Sequence, residues 1–310
     1  MSPAPNGQSN VQTRDVIATL GYVRKFSGTT ILIKLGGAAL QDSKLVNSIC
    51  KDLMLIQSVG VSVVLVHGGG PSINDELTLR GIEWSFIEGQ RVTTPPMMDV
   101  IEMVLCGSVN RRIVRTLNQA GVKAVGLAGS DGATLFCKQS KAELGRVGQV
   151  EKVDPSLIQS ILNTQSAGGA GAIPVIAPVG VGKDGQAFNI NADWAAVRVA
   201  EALKIEKVLF LTDQEGILDT EKKLIAELDA GELENLIETS VVQGGMIAKT
   251  RTILYALRHG VKDIHVLNAK YPHGLIEELF TDRGIGTVCR LRSRVRNSQT
   301  QKVETQNAQT

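Results

Sequence analysis

Short runs of β-branched and apolar residues recur along the chain, separated by stretches with helical spacing. The runs Thr30–Lys34, Val61–Val66, Ala124–Leu127, Ile173–Ala177, Lys207–Leu211 and Asp263–Leu267 predict strands. Between them, Met97, Val100, Ile101, Val104 and Leu105 repeat at the period of one buried helix face. Asn191–Leu203 and Met246–Arg258 carry the same period. Strands alternating with helices predict an α/β fold, a three-layer αβα sandwich around a largely parallel central sheet. Ahead of the first strand, Val16, Leu20 and Val23 place one apolar stripe on a short extra helix, with Ser9 or Asn10 as its cap and Gly21 as a weak point. Such a stripe must be buried, either on its own body or on another subunit.

A division near residues 173–178 predicts two lobes of one continuous sheet. The segments are a disordered N-terminus over 1–10, the helix over 11–27, lobes over 28–177 and 178–291, and a disordered tail over 292–310. The chain has 310 residues, 43% hydrophobic and 21% charged, which suits a packed core. Its net charge of +2 is uneven. From Arg290 onward Arg290, Arg292, Arg294, Arg296 and Lys302 stand against Glu304 alone, so this end carries +4 and leaves −2 on the rest. No basic groove for nucleic acid is expected on such a body. Cys50, Cys106, Cys137 and Cys289 are scattered without metal-ligand spacing, which points to a reducing compartment rather than a disulfide framework. Residues 1–10 lack the apolar stretch of a signal peptide, and no apolar run has the length of a membrane span, so a cytoplasmic location is expected.

Two glycine turns directly follow strands: Lys34-Leu35-Gly36-Gly37 and His67-Gly68-Gly69-Gly70. Glycine lets backbone N–H groups converge on phosphate oxygens, and the helix after each turn adds its positive end. Neither turn is a GxxxxGK[ST] loop or a GxGxxG fingerprint. Lys34 ends its strand just before the first turn, and Lys249 follows Gly244-Gly245 at a helix start. Two lysines so placed suit a phosphoryl group in transfer. In Asn189-Ile190-Asn191-Ala192-Asp193, Asn191 or Asp193 reads as an N-cap, and a carboxylate here could fix both ammoniums. Arg91 follows an expected hairpin, and its fork suits a carboxylate. No Ser/His/Asp or Cys/His arrangement is present, so nucleophilic hydrolysis and zinc chemistry are not expected.

The stretches TTILIKLGG, VVLVHGGGPSIN, GQRVT, AVGLAGSDG, AFNINADWAA, VLFLTDQEGIL, GGMIAKT and FTDRGIGT occur in this order. Together they resemble the amino acid kinase superfamily and, within it, the acetylglutamate kinase family, over about residues 11–290. The resemblance implies the amino acid kinase fold and ATP-dependent phosphorylation of the side-chain carboxylate of N-acetyl-L-glutamate, on the route to arginine. It implies Lys34, Lys249 and Asp193 as catalytic residues, with Gly36, Gly37 and Asp213 at the nucleotide. Gly69, Gly70, Arg91 and Asn189 would serve the acetylglutamate, and Mg²⁺ would arrive with ATP. The lobe over 28–177 would bind acetylglutamate and dimerise, and that over 178–291 would bind nucleotide.

The arginine-inhibited hexameric members resemble this chain in their N-terminal helix. That likeness implies arginine as effector, met by Tyr22, Lys204, His273, Glu278, Gly284 and Gly286, and a trimer of dimers linked through those helices. It also admits a PII-type partner. Leu35, Gln214 and Ala248 stand where the family often has tyrosine, valine and proline. A sister kinase acting on another carboxylate, such as carrier-bound aminoadipate, and a catalytically silent arginine sensor are the alternative readings.

Overall fold

The computed structural model describes residue 17 and residues 20–164, 170–281 and 284–292. The expected disordered ends, apart from Arg292, fall outside those residues, as do residues 11–16, 18 and 19 of the segment over 11–27, Val16 among them, and Asp282 and Arg283. Within them, residues 20–26 are helical (α1).

The chain then alternates. β1 (Thr30–Leu35), α2 (Ser43–Ser58), β2 (Ser62–His67) and α3 (Gly70–Leu79) lead to a hairpin of β3 (Phe86–Ile87) and β4 (Gln90–Arg91). Positive φ at both Glu88 and Gly89 suits the tight turn of that hairpin. Next come α4 (Pro95–Glu102), a π-helical turn over Met103–Val109, α5 (Asn110–Gln119) and β5 (Ala124–Ala128). β6 (Leu135–Gln139), β7 (Gly148–Val153), α6 (Ser156–Leu162), β8 (Ile173–Ala177), β9 (Val179–Val181) and β10 (Ala187–Asn189) follow. The chain continues through α7 (Ala192–Leu203), β11 (Lys207–Thr212), β12 (Glu227–Asp229), α8 (Ala230–Glu238), α9 (Gly245–Arg258), β13 (Asp263–Asn268), α10 (Gly274–Phe280) and β14 (Thr287–Arg290).

Eight strands form one sheet in the order β12-β14-β13-β11-β1-β2-β8-β5. All neighbours are parallel except β13 and β14. Successive residues of a strand face opposite sides, and both sides here are apolar, so the inner strands read as unbroken hydrophobic runs. Ile31, Ile33 and Leu35 face a layer made by α2, α3, α4, α5 and α10, onto which Tyr22, Val23 and Phe26 of α1 also pack. Leu32, Val64 and Val66 face α6, α7, α8 and α9 on the other side. The αβα sandwich is therefore present. A second sheet, β10-β9-β6-β7, packs on that latter side.

The six predicted strands all form, most of them one residue longer. The helical stripe from Met97 to Leu105 is buried, although it crosses from α4 into the π-helical turn. Arg290, counted above with the basic end, lies in β14 and pairs with Asp263 and Glu227 at 2.7 Å each. Its charge is thus neutralised within the fold. The strands of the second sheet, β12 and β14 escaped prediction because they are short or alternate too irregularly, as the exposure pattern of β7 illustrates. No helix among the described residues is long and apolar enough to cross a membrane.

Leu65, wholly buried at the centre of β2, tests this packing. Leu65→Ala should cost about 2–5 kcal/mol, because the removed atoms leave a cavity that the sheet cannot close. The midpoint of denaturant unfolding measures it.

Candidate active site

The carboxyl ends of β1, β2, β8 and β11 lie side by side, and the chain leaves β1 and β2 through the two glycine turns. Gly36 N–H donates to Leu211 O and Gly68 N–H donates to Leu35 O, both at 2.9 Å, so these amides continue the sheet. Gly36 therefore clears space rather than donating to a ligand, since a Cβ there would sit 2.8 Å from Leu211 O. The N–H groups of Gly37, Gly69 and Gly70 have no acceptor within the described protein. A Cβ on Gly37 would lie 2.9 Å from Gly70 N and 3.0 Å from Gly69 N, in front of two of those free donors. Pro71 opens α3, whose N-terminal end adds positive potential at the same place.

Lys34, Asp193 and Lys249 meet beside these turns. Lys34 Nζ lies 2.8 Å from Asp193 Oδ1, and Lys249 Nζ lies 2.7 Å from Asp193 Oδ2. Three elements supply the trio: β1, the first turn of α7 and the second turn of α9. Asn191 is the N-cap of α7, accepting from Asp193 N at 2.9 Å and Trp194 N at 3.2 Å. That leaves the Asp193 side chain for the lysines. Burial raises the Asp193 pKa, but the two ammoniums outweigh it and hold the carboxyl well below its usual range. Burial lowers the Lys249 pKa, and the Lys34 charge adds to that while Asp193 opposes it. Lys249 also sits 5.1 Å above the ring of Phe210. Asp213, exposed just beyond β11, is near enough for its charge to act on Lys249.

A cleft of about 320 Å³ joins these groups to the hairpin. Its lining includes Lys34, Gly37, Gly69, Gly70, Arg91, Asn189 and Asp193. Arg91 is buried and donates to Asn74 Oδ1, while Asn189 Nδ2 donates to Thr93 Oγ1 at 3.2 Å. Thr93 Oγ1 in turn donates to Arg91 O at 2.9 Å. Seven of the ten residues expected at catalysis, nucleotide or acceptor thus line one cleft, with Gly36, Asp213 and Lys249 adjoining it. A larger groove of about 970 Å³ lies on the second sheet, beside Phe136, Arg146 and Phe188, and holds none of them. Among the described residues no three His, Cys, Asp or Glu side chains are grouped to hold a metal ion.

The expected effector residues fall into separate places. Glu278 Oε2 accepts from Ile285 N at 2.7 Å, and Gly284 and Gly286 lie against the same carboxylate. Lys204, in left-handed conformation at the end of α7, lines a cavity of about 430 Å³ with Phe26 and Lys207. Tyr22 stacks on Phe26 at 6.4 Å. His273 stands apart, its Nδ1 2.7 Å from Asp52 Oδ1.

Sequence reasoning missed His265, which links the cavity to Glu278: its ring lies 2.5 Å from Glu278 Oε1 and 2.7 Å from Lys207 Nζ. It also missed Asn74 and the His67–Asn110 pair. Each is a lone polar residue within an apolar pattern, and only its partner across the fold gives it meaning. His67 Nδ1 donates to Gly68 O at 2.9 Å, and its Nε2 accepts from Asn110 at 3.1 Å, so the ring braces the second glycine turn.

Buried polar and cationic groups converging on a cleft at the carboxyl ends of a parallel sheet define an anion-handling α/β enzyme of the phosphotransferase kind. Residues 29–268 match the amino acid kinase family, and the chain belongs to it. Within that family it falls with the acetylglutamate kinases. It is 43% identical over 284 residues to the acetylglutamate kinase of Trichlorobacter lovleyi, spanning 88% of this chain and 95% of that protein. With the acetylglutamate kinase of Geobacter metallireducens it shares 43% over 287 residues, 89% of this chain and 96% of that protein. Among solved structures, the N-acetylglutamate synthase of Neisseria gonorrhoeae, complexed with coenzyme A and N-acetyl-glutamate, superposes with a TM-score of 0.80 at 25% identity. That match covers 91% of this chain and 64% of the synthase, so the chain spans just under two thirds of it.

Burial pushes the His67 pKa down to about 4, so the folded ring is neutral at pH 7. The unfolded chain takes up this proton first, and stability therefore falls as pH drops from about 6.5 toward about 4, by roughly 2 kcal/mol at pH 5. His67→Gln should lose about that much of the difference between unfolding free energies at pH 7 and pH 5. An unchanged difference would assign the slope to other groups.

Proposed function

We propose that this chain transfers the γ-phosphoryl group of ATP to the side-chain carboxylate of N-acetyl-L-glutamate, giving N-acetyl-L-glutamyl 5-phosphate and ADP. The observation that carries the reading is the Lys34–Asp193–Lys249 cluster at the end of a cleft that also holds Arg91 and Asn189. A carboxylate oxygen of the acceptor forms the new P–O bond while the bond from the γ-phosphorus to the β–γ bridging oxygen breaks. The acceptor is already ionised at neutral pH, so no general base is needed. What the reaction needs is relief of repulsion between an anionic acceptor and an anionic donor. Lys34 and Lys249 supply it at the non-bridging and leaving oxygens, and Asp193 keeps both ammoniums charged and in place. Gly37, Gly69 and Gly70 offer backbone donors to the transferred group, with Gly36 and Asp213 beside the nucleotide. Arg91 and Asn189 take the α-carboxylate. Mg²⁺ accompanying ATP would be held by phosphate oxygens and water, and supplies charge neutralisation there.

Feedback inhibition by arginine belongs to the same reading. Glu278 supports it as a partner for a guanidinium, and Lys204 in the cavity under Phe26 as a partner for an α-carboxylate. α1 packs on the core beside this cavity, so a hexamer joined through the N-terminal helices would feel the effector directly. A cytoplasmic location and a PII-type regulator are further expectations of the reading.

Acyl phosphate formed from Mg-ATP and N-acetyl-L-glutamate is trapped by hydroxylamine as a coloured hydroxamate. Wild-type protein should form it, and Lys34→Ala or Lys249→Ala should lower kcat by about a hundredfold or more with the fold retained. Near-normal turnover in either variant overturns the catalytic assignment. Added arginine should suppress the wild-type rate. Removing residues 1–25 should relieve that suppression and reduce the assembly to dimers on size-exclusion chromatography. A truncated chain that stays hexameric overturns the role given to the helix.

A further inference from the structure

The guanidinium of Arg91 is buried, yet no carboxylate among the described residues pairs with it. Lys34, Lys249 and Lys207 are also buried or nearly so, and each of them reaches an aspartate. For Arg91 the neighbours are two aromatic faces and one amide. Its carbon lies 4.7 Å from the ring centre of Phe86 and 5.2 Å from that of Trp84. Nη2 donates to Asn74 Oδ1, and Nη1 is buried with no acceptor. Burial lowers the Arg91 pKa without any opposing carboxylate. A buried charge left so costly to hold marks a place kept for an anion.

Asn74 stands on α3, four residues after Gly70, and is not part of the cleft lining. An arginine can only donate, so Asn74 must turn its oxygen toward Arg91. Phe86 and Trp84 flank the guanidinium, and the Asn74 oxygen holds Nη2 of the fork to one side. Because this oxygen belongs to an amide, it orients the fork without neutralising it. A carboxylate of the same length would saturate the charge before any ligand arrived.

We propose that Asn74 is a positioning residue for acceptor selection. Its neutral side-chain carbonyl locks Arg91 so that an uncompensated charge with a free Nη1 serves the cleft, selecting acceptors that carry a second carboxylate beside the one phosphorylated. The proposal rests on the acetylglutamate kinase reading above and names what enforces its α-carboxylate requirement.

The test compares wild type, Asn74→Asp and Asn74→Leu on N-acetyl-L-glutamate and on N-acetyl-L-isoglutamine, the analogue whose α-carboxylate is an amide. Asn74→Asp should raise the KM for N-acetyl-L-glutamate by about tenfold or more, since a fixed anion now occupies the arginine. It should shrink the preference for the free α-carboxylate by a similar factor, with the KM for ATP unchanged within about twofold and Tm at or above the wild-type value. Asn74→Leu, which removes the anchor without adding charge, should raise the same KM less and keep more of the preference. Affinity falling while stability holds is a split that a merely structural role would not produce. Asn74→Asp with an unchanged KM and preference overturns the proposal, as does a parallel loss of kcat and Tm in both variants with the preference intact. In either case wild-type turnover leaves the kinase reading standing. Wild-type protein that phosphorylates neither compound overturns that reading, and this proposal with it.

Discussion

Two buried ammonium groups share one buried carboxylate, and the positions of three separate elements depend on that arrangement. Asp193 alone beside two lysines leaves the cluster with one net positive charge in a site largely withdrawn from water. A cluster of this kind is a poor source of stability, because desolvation offsets most of the Coulomb gain. Its value lies in geometry: the carboxylate draws the end of β1 and the second turn of α9 onto the first turn of α7. Removing it would leave two like charges facing each other without a mediator. Preorganised positive charge of this sort stabilises developing negative charge without reorganisation when the reaction occurs.

The rest of the cleft extends the same sign of charge. Arg91 adds a second uncompensated cation, and the free amides of Gly37, Gly69 and Gly70 add oriented dipoles. Support for these groups comes from behind. Neutral His67 holds Gly68 O, and Asn110 holds His67 while its Nδ2 also donates to Val175 O at 2.8 Å. The π-helical turn ends where Asn110 begins α5, so the irregular helix is what delivers that side chain to β2 and β8.

A second ionic group pairs its charges one with another. Lys207 and Arg290 share Asp263, Arg290 also meets Glu227, and His265 joins Lys207 to Glu278. Burial and the Lys207 charge lower the His265 pKa against the pull of Glu278, so its ring accepts from Lys207 and donates to Glu278 as a neutral link. Lys25, Lys204, Lys262 and Glu206 line the adjoining cavity, so charges of both signs are interleaved in this region, where the cleft is dominated by cations. The two groups lie at opposite ends of the central strands, since Lys207 opens β11 and Asp213 follows its close. The central sheet therefore separates the cleft from this mixed ionic group, and any coupling between them runs through the packed strands and the helices flanking them.

Much of this was legible along the chain. The inner strands stand out because burial on both faces turns them into continuous apolar runs, and Gly36, Gly37 and Gly69 stand out because the turns after such strands leave no room for a side chain. Lys34 and Lys249 could be singled out for the glycines beside them, and their family resemblance gave them roles. The short strands of the second sheet left no such trace, because their exposure alternates irregularly and their stability comes from neighbours distant in sequence. Local sequence thus determined the alternation of elements, the glycine turns and the identity of the charged residues. Only the tertiary structure decided which charges are neutralised and which are left open. Asp193 took two lysines, Asp263 took Lys207 and Arg290, and Arg91 received an amide instead of a carboxylate. Pairing between charges depends on distance and burial in three dimensions, and residues dozens of positions apart along the chain carry no mark of either.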